Sequence, residues 1–199
     1  MNRSLANRDV KTQILDIAQS TMGNRGFSAV GLNEILKAAQ VPKGSFYHYF
    51  ESKEAFGVAL LERYFSRYLA ELDELLASSD ERSAVSRLMR YWQRWVETQS
   101  GHDLQSRCLV VKLGAEVSDL SASMRQVLEN GTDRIIERLT RELTRARQNG
   151  EMADDGDARE LAASLYQMWL GASMLAKVTQ NDSPLQSALS TTRRLLDQD

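Results

Sequence analysis

Residues 32–50 read LNEILKAAQVPKGSFYHYF, and their spacing decides how the N-terminal part of the chain folds. Leu32, Ile35, Leu36 and Ala39 recur at three- and four-residue intervals, as the inward face of a short helix does. Gln40-Val41 turns the chain, and Pro42 starts another short helix where its missing N–H is harmless. In that helix Phe46 and Phe50 are spaced to enter a core, while Lys43, Ser45, Tyr47 and His48 are hydrogen-bonding residues. Gly44 permits close approach to a backbone. These are the parts of a helix-turn-helix DNA reader, spanning 32–49. A plainer reading stays open for single residues: Phe46, Tyr47, Tyr49 and Phe50 as core aromatics, and Lys43 as a solvated charge.

Working outward, Val10, Ile14, Ile17, Ala18 and Met22 mark a first helix over about 8–23, with Gly23 and Gly26 as stop signals. Ser52 caps a long helix whose apolar positions include Phe56, Leu60, Tyr64, Leu69 and Leu72. Further helical blocks are expected at about 81–99, 107–117, 121–149, 157–180 and 184–196, with a polar loop at 150–156. Two prolines in 199 residues, and long stretches rich in Ala, Leu, Glu and Arg, favour helix nearly throughout. The expectation is an all-α chain of about nine helices. Residues 1–54 form the helix-turn-helix domain, and 55–199 form a helical bundle for sensing and dimerisation. Three short helices cannot bury much core alone, so they should pack on the helix from Ser52. A shift of that helix would then move the reading unit.

Bulk properties set looser bounds. A chain that is 42% apolar and 26% charged is an ordinary globular composition. The net charge of −2 does not suggest nucleic acid, but residues 1–54 carry seven Lys/Arg against five Asp/Glu. The local sign suits DNA, although weakly. No apolar run of about 18 residues is present, which argues against a membrane span. The N-terminus lacks the apolar stretch of a secretory signal. The single cysteine, Cys108, suits a reducing cytoplasm, the expected location. One Cys and two distant His lack metal-ligand spacing, so no metal or cofactor is expected.

Val41-Pro-Lys-Gly-Ser-Phe-Tyr-His-Tyr-Phe followed by Ser52-Lys-Glu-Ala resembles the signature of TetR-family transcriptional repressors. With Gly26-Phe27 and Leu32-Asn-Glu-Ile-Leu, the resemblance covers about residues 10–60. It implies that Lys43, Gly44, Ser45, Tyr47 and His48 meet the major groove or phosphates of double-stranded operator DNA. Asn33 matches a further DNA-reading position, and Lys53 a phosphate contact near a helix N-terminus. Gly31 departs from the pattern, since the family often has Ser or Thr capping the helix there. On this reading His48 is a DNA contact and not a catalytic base.

The resemblance also implies a homodimer built from the last two helices. The periodicity agrees: Leu161, Leu165, Met168, Trp169, Ala172 and Leu175 form one stripe, and Leu185, Leu189, Thr192 and Leu196 the next. Two such stripes per chain make a four-helix bundle across a two-fold axis. The alternative is burial of both stripes within one chain.

Cys108 falls about where a helix begins, if Ser106 is the cap. A thiol in the first helical turn beside Arg107 should have a lowered pKa. The segment from Cys108 to Ser121, with Met124-Arg125, resembles the N-ethylmaleimide-responsive branch of the TetR family. So do Ala55-Phe-Gly-Val-Ala, Trp169-Leu-Gly-Ala and Ala176-Lys177. This resemblance implies that reactive electrophiles or oxidants modify Cys108 and that the modified repressor leaves its operator. It makes Lys177 a candidate partner, stabilising the thiolate or trapping an oxidised sulfur. An inert buried cysteine is the competing reading. A second mechanism is release by a non-covalent apolar or aromatic ligand bound among Tyr91, Trp92, Trp95, Tyr166 and Trp169, unless these rings are core. A Cys-dependent enzyme is a distant third, because only His48 and His102 are available as a histidine base.

Overall fold

The computed structural model describes residues 3–77, 83–100, 108–153 and 155–197. Among the described residues it contains nine α-helices and no strand: α1 (Arg3–Arg25), α2 (Leu32–Ala38), α3 (Lys43–Tyr49), α4 (Lys53–Ala77), α5 (Ala84–Ser100), α6 (Leu109–Leu120), α7 (Ala122–Gln148), α8 (Ala158–Thr179) and α9 (Ser183–Asp197).

Local chemistry accounts for most of the helix ends. The backbone of α1 runs on through Gly23, which lies inside the fold, and stops at Gly26. There φ is +99° and the Gly26 N–H donates to the Met22 carbonyl at 2.8 Å, a left-handed cap that glycine adopts without strain. α2 closes through Gln40, whose φ is +55°; the Val41 N–H reaches the Leu36 carbonyl at 2.9 Å and the Gln40 N–H the Lys37 carbonyl at 3.2 Å. Pro42 stands just outside α3 as its cap, one position earlier than expected. The Ser52 hydroxyl accepts the Ala55 N–H at 3.0 Å, as expected of the α4 cap. α6 starts at Leu109 with Cys108 in the cap position, later than expected, and the proposed cap Ser106 lies outside the described residues.

The chain divides into two compact units. One takes residues 1–66 and 103–130, the other 67–102 and 131–199. The unit that holds α2 and α3 therefore reaches well past residue 54. It includes the start of α4, all of α6 and the start of α7. Short helices need these partners to enclose a core. Ile14, Met22, Ile35, Phe46, Phe56 and Leu60 are fully or almost fully buried in it, and α6 packs on α1.

In the second unit α9 packs on α8 and α5, and Trp92, Trp169, Leu88 and Leu139 are buried. A buried ion pair crosses that core, with Arg87 Nε donating to Glu142 Oε1 at 2.6 Å. Arg145 also donates to Glu142 at 3.0 Å, so the buried carboxylate has two cationic partners. Among the described residues no helix is long and apolar enough to cross a membrane.

Candidate functional site

The short α3 divides its side chains cleanly. Phe46 is fully buried, with its ring 5.1 Å from Phe50 and 5.5 Å from Phe56. For Phe46 and Phe50 the core reading is the right one. Tyr47 is 61% exposed, which is large for an aromatic ring. Lys43, Gly44 and His48 are exposed beside it, and Ser45 and Tyr49 are half-buried. A Cβ added to Gly44 would meet nothing within 4 Å, so no neighbour in this fold requires glycine there. Asn33 is exposed near the start of α2, where Gly31 supplies no side-chain cap. Lys53 is half-buried: its ammonium donates to the Val30 carbonyl at 3.3 Å and lies 5.0 Å over the Phe27 ring.

The same unit contains Cys108, which is 5% exposed. The Tyr64 hydroxyl donates to its sulfur at 3.5 Å, and the Val110 and Val111 amides at the start of α6 favour its thiolate without a side-chain cap hydrogen bond. Burial nevertheless dominates and pushes the thiol above its ordinary range, with these three donors opposing it. This corrects the expectation of a lowered pKa, because removing a thiolate from water costs more than a helix N-terminus returns. Arg107, the other expected influence, lies outside the described residues, as does His102. Lys177 is exposed in the last turn of α8, in the other unit.

Sequence reasoning missed two residues of this unit. Tyr64 looked like one apolar position of a helix stripe, whereas its hydroxyl faces the sulfur. Glu116, on α6, accepts the Ser28 N–H at 2.7 Å and the Phe27 N–H at 3.0 Å. Burial tends to raise the pKa of Glu116, but the Ser28 amide and hydroxyl, the Phe27 amide and Lys112 outweigh it. The carboxyl is held below its ordinary range. At the other end of α6, the Ser121 hydroxyl donates to Glu54 and accepts the Met124 N–H at 3.1 Å. No periodicity signals contacts made across 88 residues.

In the second unit the five aromatic residues expected to line a pocket pack on one another. The Trp92 and Trp169 rings stack at 4.9 Å and 10°, and Tyr166 meets Trp95 edge-on at 5.8 Å. All five, including Tyr91, are at most 5% exposed. Trp95 Nε1 donates to Ser173 and Trp169 Nε1 to Thr192, each at 2.9 Å. Trp92 Nε1 is buried without a hydrogen-bond partner. Of the residues expected at the dimer interface, Leu165, Ala172, Leu185 and Leu196 are buried inside the chain, and Leu161, Met168 and Leu189 are half-buried. The first four are corrected to core. The apolar side chains that α8 and α9 leave exposed are Met174, Leu175, Val178 and Leu195.

Residues 14–60 match the model of bacterial regulatory proteins of the tetR family, and residues 84–192 match the tetracyclin repressor-like C-terminal domain. The chain belongs to the TetR family. It is 41% identical to the HTH-type transcriptional repressor NemR of Escherichia coli (strain K12), with 94% of each chain covered. It is 38% identical to the transcriptional regulator AcuR of Cereibacter sphaeroides, over 84% of this chain and 76% of AcuR. A crystal structure of the reduced form of E. coli NemR superposes with a TM-score of 0.89 at 42% identity. That match covers 94% of this chain and 97% of the other. The chain is thus a TetR-type transcriptional repressor related to NemR, and α2–α3 is its helix-turn-helix.

Proposed function

We propose that this repressor binds a two-fold operator as a homodimer through α2 and α3, and that covalent modification of Cys108 lowers its operator affinity. The observation that carries the reading is the placement of Cys108 at the start of α6, buried in the same compact unit as the reading head. Exposed Lys43, Gly44, Tyr47 and His48 offer the hydrogen-bonding face of α3, with Ser45 at its edge and Asn33 and Lys53 beside it. The sulfur is reached only when the surrounding packing opens. In the closed site the Tyr64 hydroxyl and the first amides of α6 favour its anion.

An activated alkene such as N-ethylmaleimide takes the thiolate at one alkene carbon, forming a C–S bond, and a proton at the other. The adduct is far larger than the hydrogen it replaces, and a site packed this closely accommodates it only by moving α6. With a peroxide as oxidant, the thiolate attacks one oxygen, the O–O bond breaks with release of water or an alcohol, and the thiol becomes a sulfenic acid. The part given to Lys177 is then attack of its amine on that sulfur, forming an S–N bond and releasing water. Replacing Lys177 by Ala is expected to remove this second product, read by mass spectrometry, without affecting alkylation.

The deciding experiment is a gel shift on the DNA upstream of the repressor's own gene, with and without N-ethylmaleimide. Wild type is expected to release that DNA on alkylation and Cys108→Ser to retain it. If the serine variant is released equally, the thiol mechanism is wrong.

The unpartnered Trp92 Nε1 favours a second reading, in which a small molecule bearing a hydrogen-bond acceptor enters the aromatic cluster and releases DNA. Trp92→Phe, which keeps the ring and removes the donor, is expected to abolish such release if this reading holds.

A further inference from the structure

One carboxylate of α6 reaches the turn that leads into α2. Glu116 lies two turns along α6 from Cys108, and its two oxygens hold two consecutive backbone amides of the turn between α1 and α2. Oε2 accepts from Phe27 at 3.0 Å and Oε1 from Ser28 at 2.7 Å. Successive amides converging on one carboxylate form an anion-binding nest. Gly26 makes the nest accessible: its φ is +99°, and a Cβ there would lie 3.0 Å from Glu116 Oε2. The ring of Phe27 is fixed in turn. Lys53 lies 5.0 Å over it, and a Cβ added to Gly57 would come within 2.9 Å of its edge. The turn is therefore tied to α6 through the Phe27 and Ser28 amides and to α4 through the Phe27 ring.

We infer that Glu116 is a positioning residue: it holds the turn ahead of α2 in the placement that reads the operator, and it transmits displacement of α6 to that turn. The second half of this inference rests on the Cys108 reading proposed above, and the first half does not. The alternative is that Glu116 is a stabilising contact and nothing more. The two differ in what they predict for the unmodified protein and for its response.

The test compares wild type with Glu116→Ala, Glu116→Gln and Glu116→Asp in full-length protein. Operator affinity is measured with and without N-ethylmaleimide, and amide hydrogen exchange is followed at Phe27 and Ser28. With Glu116→Ala, both amides should exchange faster, and affinity in the absence of modifier should fall by about tenfold or more. That is the order set by losing a charge-assisted hydrogen bond. The ratio of affinities before and after alkylation should fall towards one. Glu116→Gln, which keeps an acceptor at the same reach, should restore part of the affinity and part of the response, and Glu116→Asp less.

Circular dichroism and thermal melting identify a variant that has failed to fold, and the Gln variant then carries the test. If a folded Glu116→Ala binds the operator as wild type does and is released by alkylation to the same extent, the inference is overturned. A wild type that ignores N-ethylmaleimide rejects the Cys108 reading instead. The loss of affinity in unmodified Glu116→Ala then still decides whether Glu116 positions the head.

Discussion

At Cys108 two opposing effects are resolved by burial. The Tyr64 hydroxyl and the first amides of α6 favour the thiolate, yet exclusion from water raises the thiol above its ordinary range. At neutral pH the sulfur is therefore almost wholly protonated. The thiolate fraction grows with pH, so alkylation should accelerate across the alkaline range with a midpoint above that of an exposed thiol. Unfolding in denaturant should bring that midpoint back down. Tyr64→Phe removes one of the three stabilising donors, so it should raise the pKa further and slow alkylation about two- to tenfold at neutral pH. Stopped-flow or mass-spectrometric alkylation kinetics checks both. A Tyr64→Phe rate equal to or faster than wild type would show that the hydroxyl does not serve the sulfur. The sequence placed Cys108 correctly near a helix start. It could not show the burial that reverses the pKa, because the enclosing Tyr64 lies 44 residues away on another helix.

Helices whose signals are local were the legible ones. Pro42, the apolar spacing of Leu32 to Ala39 and the Ser52 cap each act within a few residues, and α2, α3 and α4 begin and end close to where those signals set them. Gly23 misled because a glycine in a helix interior costs stability but does not by itself end the helix. α8 misled for a different reason: it is apolar over much of its circumference, so its period does not separate the face packed on its own chain from the face left exposed. α2 carries a local deficiency that can be repaired. Its cap, Gly31, has extended backbone angles of −74° and 141°, gives no side-chain hydrogen bond, and has open space where a Cβ would stand. Gly31→Ser should cap α2 and restrict the unfolded chain, stabilising the protein by about 0.5–1 kcal/mol. That corresponds to a rise of roughly 1–4 °C in the thermal midpoint. An unchanged or lower midpoint would mean that the serine hydroxyl does not reach the open N–H groups of α2.

For the whole molecule, the proposed two-fold operator would require two reading heads at a fixed separation, so assembly would matter as much as the reading helix. The residues left to provide that assembly are the ones the chain does not bury for itself. Met174 is 63% exposed, Leu175 54% and Val178 69%, within five residues of one helix, and Leu195 on the packed neighbour α9 is 42% exposed. Single exposed apolar residues are ordinary, but three large ones within five residues of α8 form a patch of the kind that marks an association surface, and α9 adds the exposed Leu195. Leu175→Glu and Val178→Glu each place a charge in it without disturbing a buried side chain, so both variants should fold, with a circular dichroism spectrum like that of wild type. Both should sediment as monomers at concentrations where wild type is expected to sediment as a dimer. Operator affinity should fall by about a hundredfold or more, because the second half-site is then no longer held at the high effective concentration that a linked head provides. Leu165→Glu is the contrasting variant: Leu165 is 2% exposed, and a charge there should unfold the second unit instead of dividing two intact chains. If the exposed-face variants remain dimeric and bind the operator as wild type does, the dimer forms through some other surface.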